Sequence, residues 1–281
     1  MEQLKVKPAS RSGLQRASRL TDRRVRDKYQ QFLVEGPAGV REILRWQPDL
    51  VRDFFYQDDV LKAHPDIAEL ARAAQVWAHP VGAQDAHAMS SASQGLFIVA
   101  HMPERSRLED VLMGTGFVMA AAQMQDPGNL GTLIRSTDAA GGTGVIVGQG
   151  SVDYLSPKVV RSSAGSLFHL PIAAQVDVDS LVEAAHRHRY QVFAADAHGN
   201  VSLTDLVTSS LNAKRCEPAH GSFDLRRPTV WIVGNEAHGF LGHDLGNIDA
   251  VVSVPLIGRA ESLNAAMSSV LLAYASALSH M

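Results

Sequence analysis

Three short stretches hold the residues of this chain that could do chemistry. Asn129, Gly131 and Arg135 follow one apolar run; Gly234, Asn235, Glu236 and Gly239 follow a second; Gly258, Ser262 and Asn264 follow a third. Glycine lets a backbone come close to a flat or charged ligand, while Asn and Ser supply hydrogen bonds without charge. One such loop is what any turn uses, but three behind three apolar strands read as a site. Taken singly, each residue also has a plain structural role: Asn129 as the cap of a helix from residue 130, Glu236 as the partner of a helix N-terminus, Ser262 and Asn264 as cap and turn residues.

The elements that must position these residues alternate between strand and helix. Residues 251–254 form a short apolar strand that stops at Pro255, which cannot donate to a sheet ladder. Gly258 gives the following loop backbone angles closed to other residues, and Ser262 sits where it can cap a helix over 263–278. That helix is mainly Ala, Met, Val, Leu and Ser with apolar residues nearly all round, the pattern of a buried helix. A polar loop between such a strand and such a helix is where α/β folds place ligands.

Upstream, the pattern predicts strands at 116–123, 144–147, 167–172, 191–195 and 229–233. Helices are expected at 132–140, 158–163 and 179–188, a polar irregular excursion over 200–227, and a short element near 240–245. Residues 23–44 read as helix, strand and helix, with the strand inside 31–37. Strands at 51–56, 76–81 and 94–101 and helices at 66–74 and 86–92 complete a small α/β/α domain. The expected division is a basic N-terminal arm over 1–22, this domain over 23–103, a polar linker over 104–112 and a second domain over 113–281.

At 281 residues the chain suits two domains, and its net charge of −3 excludes a wholesale polycation. Charge is uneven: Lys5, Lys7, Arg11, Arg16, Arg19, Arg23, Arg24, Arg26 and Lys28 face only Glu2, Asp22 and Asp27. Such an arm can meet phosphates, or be a solvated tail. Cys216 is the only cysteine, which excludes a disulfide framework or Cys-rich zinc site and fits a reducing, cytoplasmic setting. No apolar run is long enough to span a membrane, and the twelve histidines form no metal-binding motif. Gly148-x-Gly150-x-x-Asp153 is a faulty dinucleotide fingerprint: the third Gly is missing and Pro157 delays the helix.

The stretches 126–131 through Arg135, 233–239, and 254–258 through Ser262, Leu263 and Asn264 resemble the three ordered motifs of the SpoU/TrmH family. Residues 158–166 are similar to that family's segment between the first two motifs. The resemblance implies a metal-free S-adenosylmethionine-dependent RNA 2′-O-ribose methyltransferase, acting on rRNA. It implies a homodimer of chains whose 113–281 domain is an α/β domain tied in a trefoil knot, behind a ribosomal-protein-like RNA-binding domain. By the same resemblance Gly234, Asn235, Val254, Leu256, Gly258, Leu263 and Asn264 would hold the cofactor. Arg135, Asn129, Glu236, Ser262 and Asn264 would act on the RNA ribose and phosphate. A tRNA substrate, a non-catalytic RNA-binding or assembly factor, and a nucleotide-dependent oxidoreductase are the competing expectations.

Overall fold

The computed structural model describes residues 4–212, 223–234 and 247–280. Contacts divide the chain into two compact units: Met1–Glu104 with Asp153–His169, and Arg105–Val152 with Leu170–Met281.

Unit 1 runs β1 (Lys5–Val6), α1 (Arg11–Arg19), α2 (Arg23–Tyr29), β2 (Gln31–Glu35), α3 (Gly36–Trp46), β3 (Val51–Tyr56), α4 (Asp58–Ala63), α5 (Pro65–Ala73), β4 (Trp77–Pro80), α6 (Ala83–Met89) and β5 (Leu96–His101). The sheet order is β1-β4-β3-β5-β2, with β5 antiparallel to both neighbours. Alternate strand residues serve opposite faces. Leu33, Phe55, Phe97 and Val99 pack with Ala17, Leu20, Ala86 and Met89 from α1, α2's approach and α6. The other face is covered by α3 and α5, whose Val40, Ile43, Ile67 and Ala71 are fully buried.

The basic arm is not a tail. β1 pairs beside β4, Ser10 caps α1 by accepting from the Gly13 amide, and Ala17 and Leu20 are wholly buried. Arg26, counted in the sequence as a phosphate-facing cation, is buried: it donates to the Leu20 and Thr21 carbonyls and pairs with Asp153 at 2.6 Å. A buried guanidinium needs such partners, because leaving it uncompensated is costly.

Unit 2 runs α7 (Leu108–Val111), β6 (Phe117–Ala121), α8 (Pro127–Ala139) and β7 (Gly144–Gly148). The chain then makes the 153–169 excursion that groups with unit 1, containing α9 (Pro157–Ser162) and a 3₁₀ turn (Ser166–Phe168). Arg161 pairs there with the buried Glu35 at 3.1 Å, and Gln47 donates to the Phe168 carbonyl at 3.0 Å. Gly165 is required at its place: φ is +101°, and a Cβ would collide with the Glu42 side chain. The segment expected between two methyltransferase motifs inside one contiguous domain is therefore a piece of unit 1.

Unit 2 resumes with β8 (Ile172–Val176), α10 (Val178–Arg187), β9 (Gln191–Ala195), β10 (Val201–Ser202), α11 (Leu203–Asn212), β11 (Thr229–Val233), β12 (Ala250–Ser253) and α12 (Ala265–His280). Its seven strands are all parallel, in the order β10-β12-β9-β11-β6-β7-β8. Near-continuous apolar strands such as Thr229–Val233 are what a sheet covered on both faces demands. Trp231 is core, its ring 5.2 Å from Phe193 and its Nε1 donating to Ser276 Oγ at 2.8 Å. Before β11, the Arg226 guanidinium holds the Asp224 carboxyl below the usual carboxylate range.

Four expectations fail here for physical reasons. The strand expected at 167–172 is a 3₁₀ turn followed by a strand from Ile172, because Pro171 and the Gly165 turn delay it. The excursion expected over 200–227 contains a two-residue strand and the helix α11, anchored by buried Leu203 and Leu206. The helix expected from residue 132 starts at Pro127, whose fixed φ suits a first helical position. The final helix starts at Ala265 and is not buried all round. The element near 240–245 lies outside the described residues.

Candidate functional site

The carboxyl ends of β9, β11 and β12 open into a cleft of about 790 Å³. Its walls are the chain leaving β9 (Ala195, Asp196, His198), the end of β11 (Val233, Gly234), the loop after β12 (Val254, Leu256, Glu261, Ser262, Leu263) and the first turn of α12 (Ala265, Ser268). This is the crevice beyond the strand ends where parallel sheets bind ligands, and its volume suits a nucleoside-sized molecule.

Glycine is indispensable at one point. A Cβ on Gly199 would lie 2.6 Å from the Val252 carbonyl carbon, so only glycine lets the turn after β9 pass against β12. The same turn is tied by the Asp196 amide donating to the Val252 carbonyl at 3.0 Å and by the His198 amide donating to Asp196 Oδ1 at 2.8 Å. The wall from Ala195 to His198 was missed in the sequence, although its signal was there: Gly199 and Asn200 behind a predicted strand repeat the pattern of the other three loops.

Five of the predicted cofactor or catalytic residues line the cleft: Gly234, Val254, Leu256, Ser262 and Leu263. Asn235 and Glu236 lie outside the described residues. Gly258 is not among the residues that line it; its φ is not positive, and among the described residues a Cβ there would meet nothing within 4 Å. Asn264, not Ser262, caps α12, its Oδ1 accepting from the Ala266 amide at 2.8 Å. Replacing Asn264 with alanine is therefore expected to cost about 1 kcal/mol, seen as a melting point lowered by about 2–4 °C with turnover unchanged. A rate loss above tenfold with an unchanged melting point would give Asn264 a direct part in the reaction.

Asn129 and Arg135 sit elsewhere in this chain. The cap of α8 is Asp126, which accepts from the Asn129 amide at 2.9 Å, so Asn129 is a first-turn residue and not the cap. Arg135 lies six residues on, about 120° around the helix. It is exposed, makes no hydrogen bond or ion pair among the described residues, and does not line its own chain's cleft. Asp153, the acidic residue of the faulty dinucleotide fingerprint, is committed to Arg26 within unit 1.

A seven-stranded parallel domain with a nucleoside-sized cleft at its strand ends is an α/β frame built to hold a small ligand at that edge. Residues 116–274 match the model of the SpoU rRNA Methylase family, and the chain belongs to that family. The 23S rRNA (guanosine(2553)-2′-O)-methyltransferase RlmP of Bacillus subtilis (strain 168) is 30% identical over 256 residues, 91% of this chain and 92% of that protein. The 23S rRNA (uridine(2479)-2′-O)-methyltransferase of Streptomyces viridochromogenes is 29% identical over 268 residues, covering 91% and 85%. The solved SpoU methyltransferase AviRb from Streptomyces viridochromogenes, in complex with the cofactor AdoMet, is similar with a TM-score of 0.76 at 28% identity, over 96% of this chain and 98% of that one.

Proposed function

We propose that this chain transfers a methyl group from S-adenosylmethionine to a ribose 2′-hydroxyl in structured RNA, with 23S rRNA as the substrate. The observation that carries this reading is the cleft at the carboxyl ends of β9, β11 and β12, inside the residues that match the family. Its residues fit the cofactor. Ala195, Gly234, Val254, Leu256 and Leu263 offer apolar and backbone walls to an adenine, and Asp196 and Glu261 offer carboxylates to a molecule bearing a sulfonium and an ammonium. No lysine or arginine lines the cleft among the described residues. When bound, the cofactor supplies an electrophilic methyl group, so the protein's part is in-line positioning and charge placement.

Arg135, always protonated, clamps an RNA phosphate and stabilises the oxygen as its proton leaves, the proton passing to Glu236, water or the RNA itself. Since Arg135 stands off the cleft of its own chain, it serves the cleft of a second copy, and the working enzyme is a homodimer. The apolar residues exposed along α12 support that assembly. The 113–281 domain is tied in a trefoil knot. The order of strands supports this: β12 lies beyond β9 from β11, yet α12 returns to pack on α8, β6 and β11. Unit 1 is a ribosomal-protein-like domain that grips RNA, and the work is done in the cytoplasm.

The test is tritiated methyl transfer to naked 23S rRNA, 16S rRNA and tRNA fractions, followed by mapping of the modified nucleotide. Label on a 23S ribose is expected. Label on a base sinks the reaction class, and label confined to tRNA moves the substrate. Binding of cofactor and RNA without transfer to any fraction or to assembled subunits leaves a binding factor on the same fold.

A further inference from the structure

The starts of four strands of unit 1 gather at one edge of its sheet. β1, β4 and β3 are mutually parallel, and β2 shares their direction because β5 is antiparallel to both β3 and β2. Lys5 opens β1, Trp77 opens β4, and Tyr29 ends α2, one residue (Gln30) before β2. Trp77 and Tyr29 are large apolar rings left 51% and 43% exposed. Exposed rings taken singly need no explanation; what sets these two apart is the set of cations beside them.

Cations stand beside both rings. The Arg16 guanidinium lies 5.9 Å from the Tyr29 ring centre and the Lys28 ammonium 5.4 Å from it. Lys5 and Asp53 flank Trp77 in register, on β1 and β3. Asp53, Asp27 and Asp49 are acidic residues at this edge; Arg52, His79 and Arg16 surround Asp53 at 3.3, 3.2 and 3.9 Å, and Arg23 pairs with Asp27 at 3.7 Å. Arg16 makes no closer pairing, and its Nε is buried without a hydrogen-bond partner. The opposite edge has the other sign: Asp58, Asp59 and Asp85 follow the strand ends there, with Lys62. Phosphates are attracted to the first edge and repelled by the second.

We propose that this amino-terminal edge is a stacking strip for unpaired nucleotides of the RNA substrate, with Trp77 and Tyr29 receiving bases and Lys5, Arg16 and Lys28 receiving the phosphates between them. The proposal rests on the reading of the chain as an RNA-acting enzyme and adds to it the surface and the form of RNA recognised. Duplex RNA hides its base faces; loops and bulges present them to aromatic side chains. From β4 to β2 is three strand spacings, about 14 Å, room for more than one nucleotide. The third exposed ring, Trp46, does not belong to the strip: it leans on His169 at 5.3 Å and donates its Nε1 to Glu42 at 3.0 Å.

The test is filter binding by the full-length chain of an unpaired RNA oligonucleotide, an RNA duplex of equal length and 23S rRNA, across a salt series. Trp77→Ala and Tyr29→Ala are each expected to weaken binding of the unpaired oligonucleotide about tenfold, with an unchanged salt dependence. Lys5→Gln and Lys28→Gln should each lower the salt slope by just under one. Trp46→Ala should bind as wild type, and all variants should keep their melting points and cofactor affinity. At saturating rRNA the turnover of the aromatic variants should match wild type, the deficit lying in KM. Wild-type affinity in both aromatic variants overturns the strip while leaving the methyltransferase reading intact, as does an equal loss on duplex. A wild-type chain that holds S-adenosylmethionine but binds none of the three RNAs overturns both.

Discussion

Arg135→Ala lowers methyl transfer to RNA by about two to three orders of magnitude, the effect of removing one charge-placing donor from a transition state, while S-adenosylmethionine affinity stays within about twofold. The reasoning starts from position. Arg135 is an exposed arginine on α8 with no partner among the described residues, in a helix whose neighbour Thr137 is fully buried. A guanidinium there is costly to order and pairs with nothing among the described residues of its own chain. Its fork matches a phosphate in two places, so Arg135→Lys keeps the charge, loses the second hydrogen bond, and should fall between wild type and alanine. Since Arg135 does not line its own cleft, the loss should be complemented in trans. Chains carrying Arg135→Ala, mixed with chains whose cleft is blocked by Leu263→Arg, should form hybrids with one intact site each and recover up to about a quarter of wild-type activity at equal mixing, by random pairing. Mixtures as inactive as their components would place Arg135 in the site of its own chain. Wild-type rates in Arg135→Ala itself would remove it from the reaction.

The strands of this protein were legible in its sequence because parallel sheets covered on both sides write apolar runs. Residues 191–195 and 229–233 were each read at the bounds found in the fold. What the sequence concealed were places where a distant partner decides. Arg26 looks like one more cation in a basic run, and only the carboxylate of Asp153, 127 positions away, makes it a buried structural group. The 153–169 segment is short and carries no linker composition, so nothing local tells that it belongs with unit 1. Of the residues that line the cleft, Gly234 and Ser262 stood out by type, because glycine and small polar residues behind strands announce a close approach, whereas Val254, Leu256 and Leu263 were named only by the family resemblance. Gly258 carries the same signal, and among the described residues nothing approaches it within 4 Å. Asn264 could cap and bind by type alone, and the geometry shows the cap.

If the proposed homodimer forms through α12, charging the exposed side of that helix is expected to take the dimer apart and the activity with it. In sequence this helix looked buried all round, and the two sides turn out to differ. One is lined with small residues: Ser269, Ser276 and Ser279 have no exposed surface, two of them returning their hydroxyls to carbonyls four residues back at 2.8 Å, the third accepting from Trp231. Small side chains let α12 lie close against α8 and the sheet. The other side carries Met267, Leu271, Tyr274 and Leu278, exposed by 61%, 43%, 44% and 53%. Their spacing of four, three and four residues is the seam of two helices packed lengthwise, and a row of this size facing water asks for a partner. In the proposed homodimer a second copy would meet it with the same row, an isologous contact. Placing a carboxylate in such a seam costs several kcal/mol, so Leu271→Glu with Tyr274→Glu should raise the dimer dissociation constant more than about a thousandfold, read as a halved mass by sedimentation at micromolar protein. The first turn of α12 also walls the cleft through Ala265 and Ser268, and Arg135 stands on the helix against which α12 packs. Separation of the subunits should therefore remove Arg135 from the cleft it serves and bring methyl transfer down to the level of Arg135→Ala. A monomeric double variant with wild-type turnover would break that link, leaving the seam a matter of assembly alone; a variant that stays dimeric would place the interface on another face.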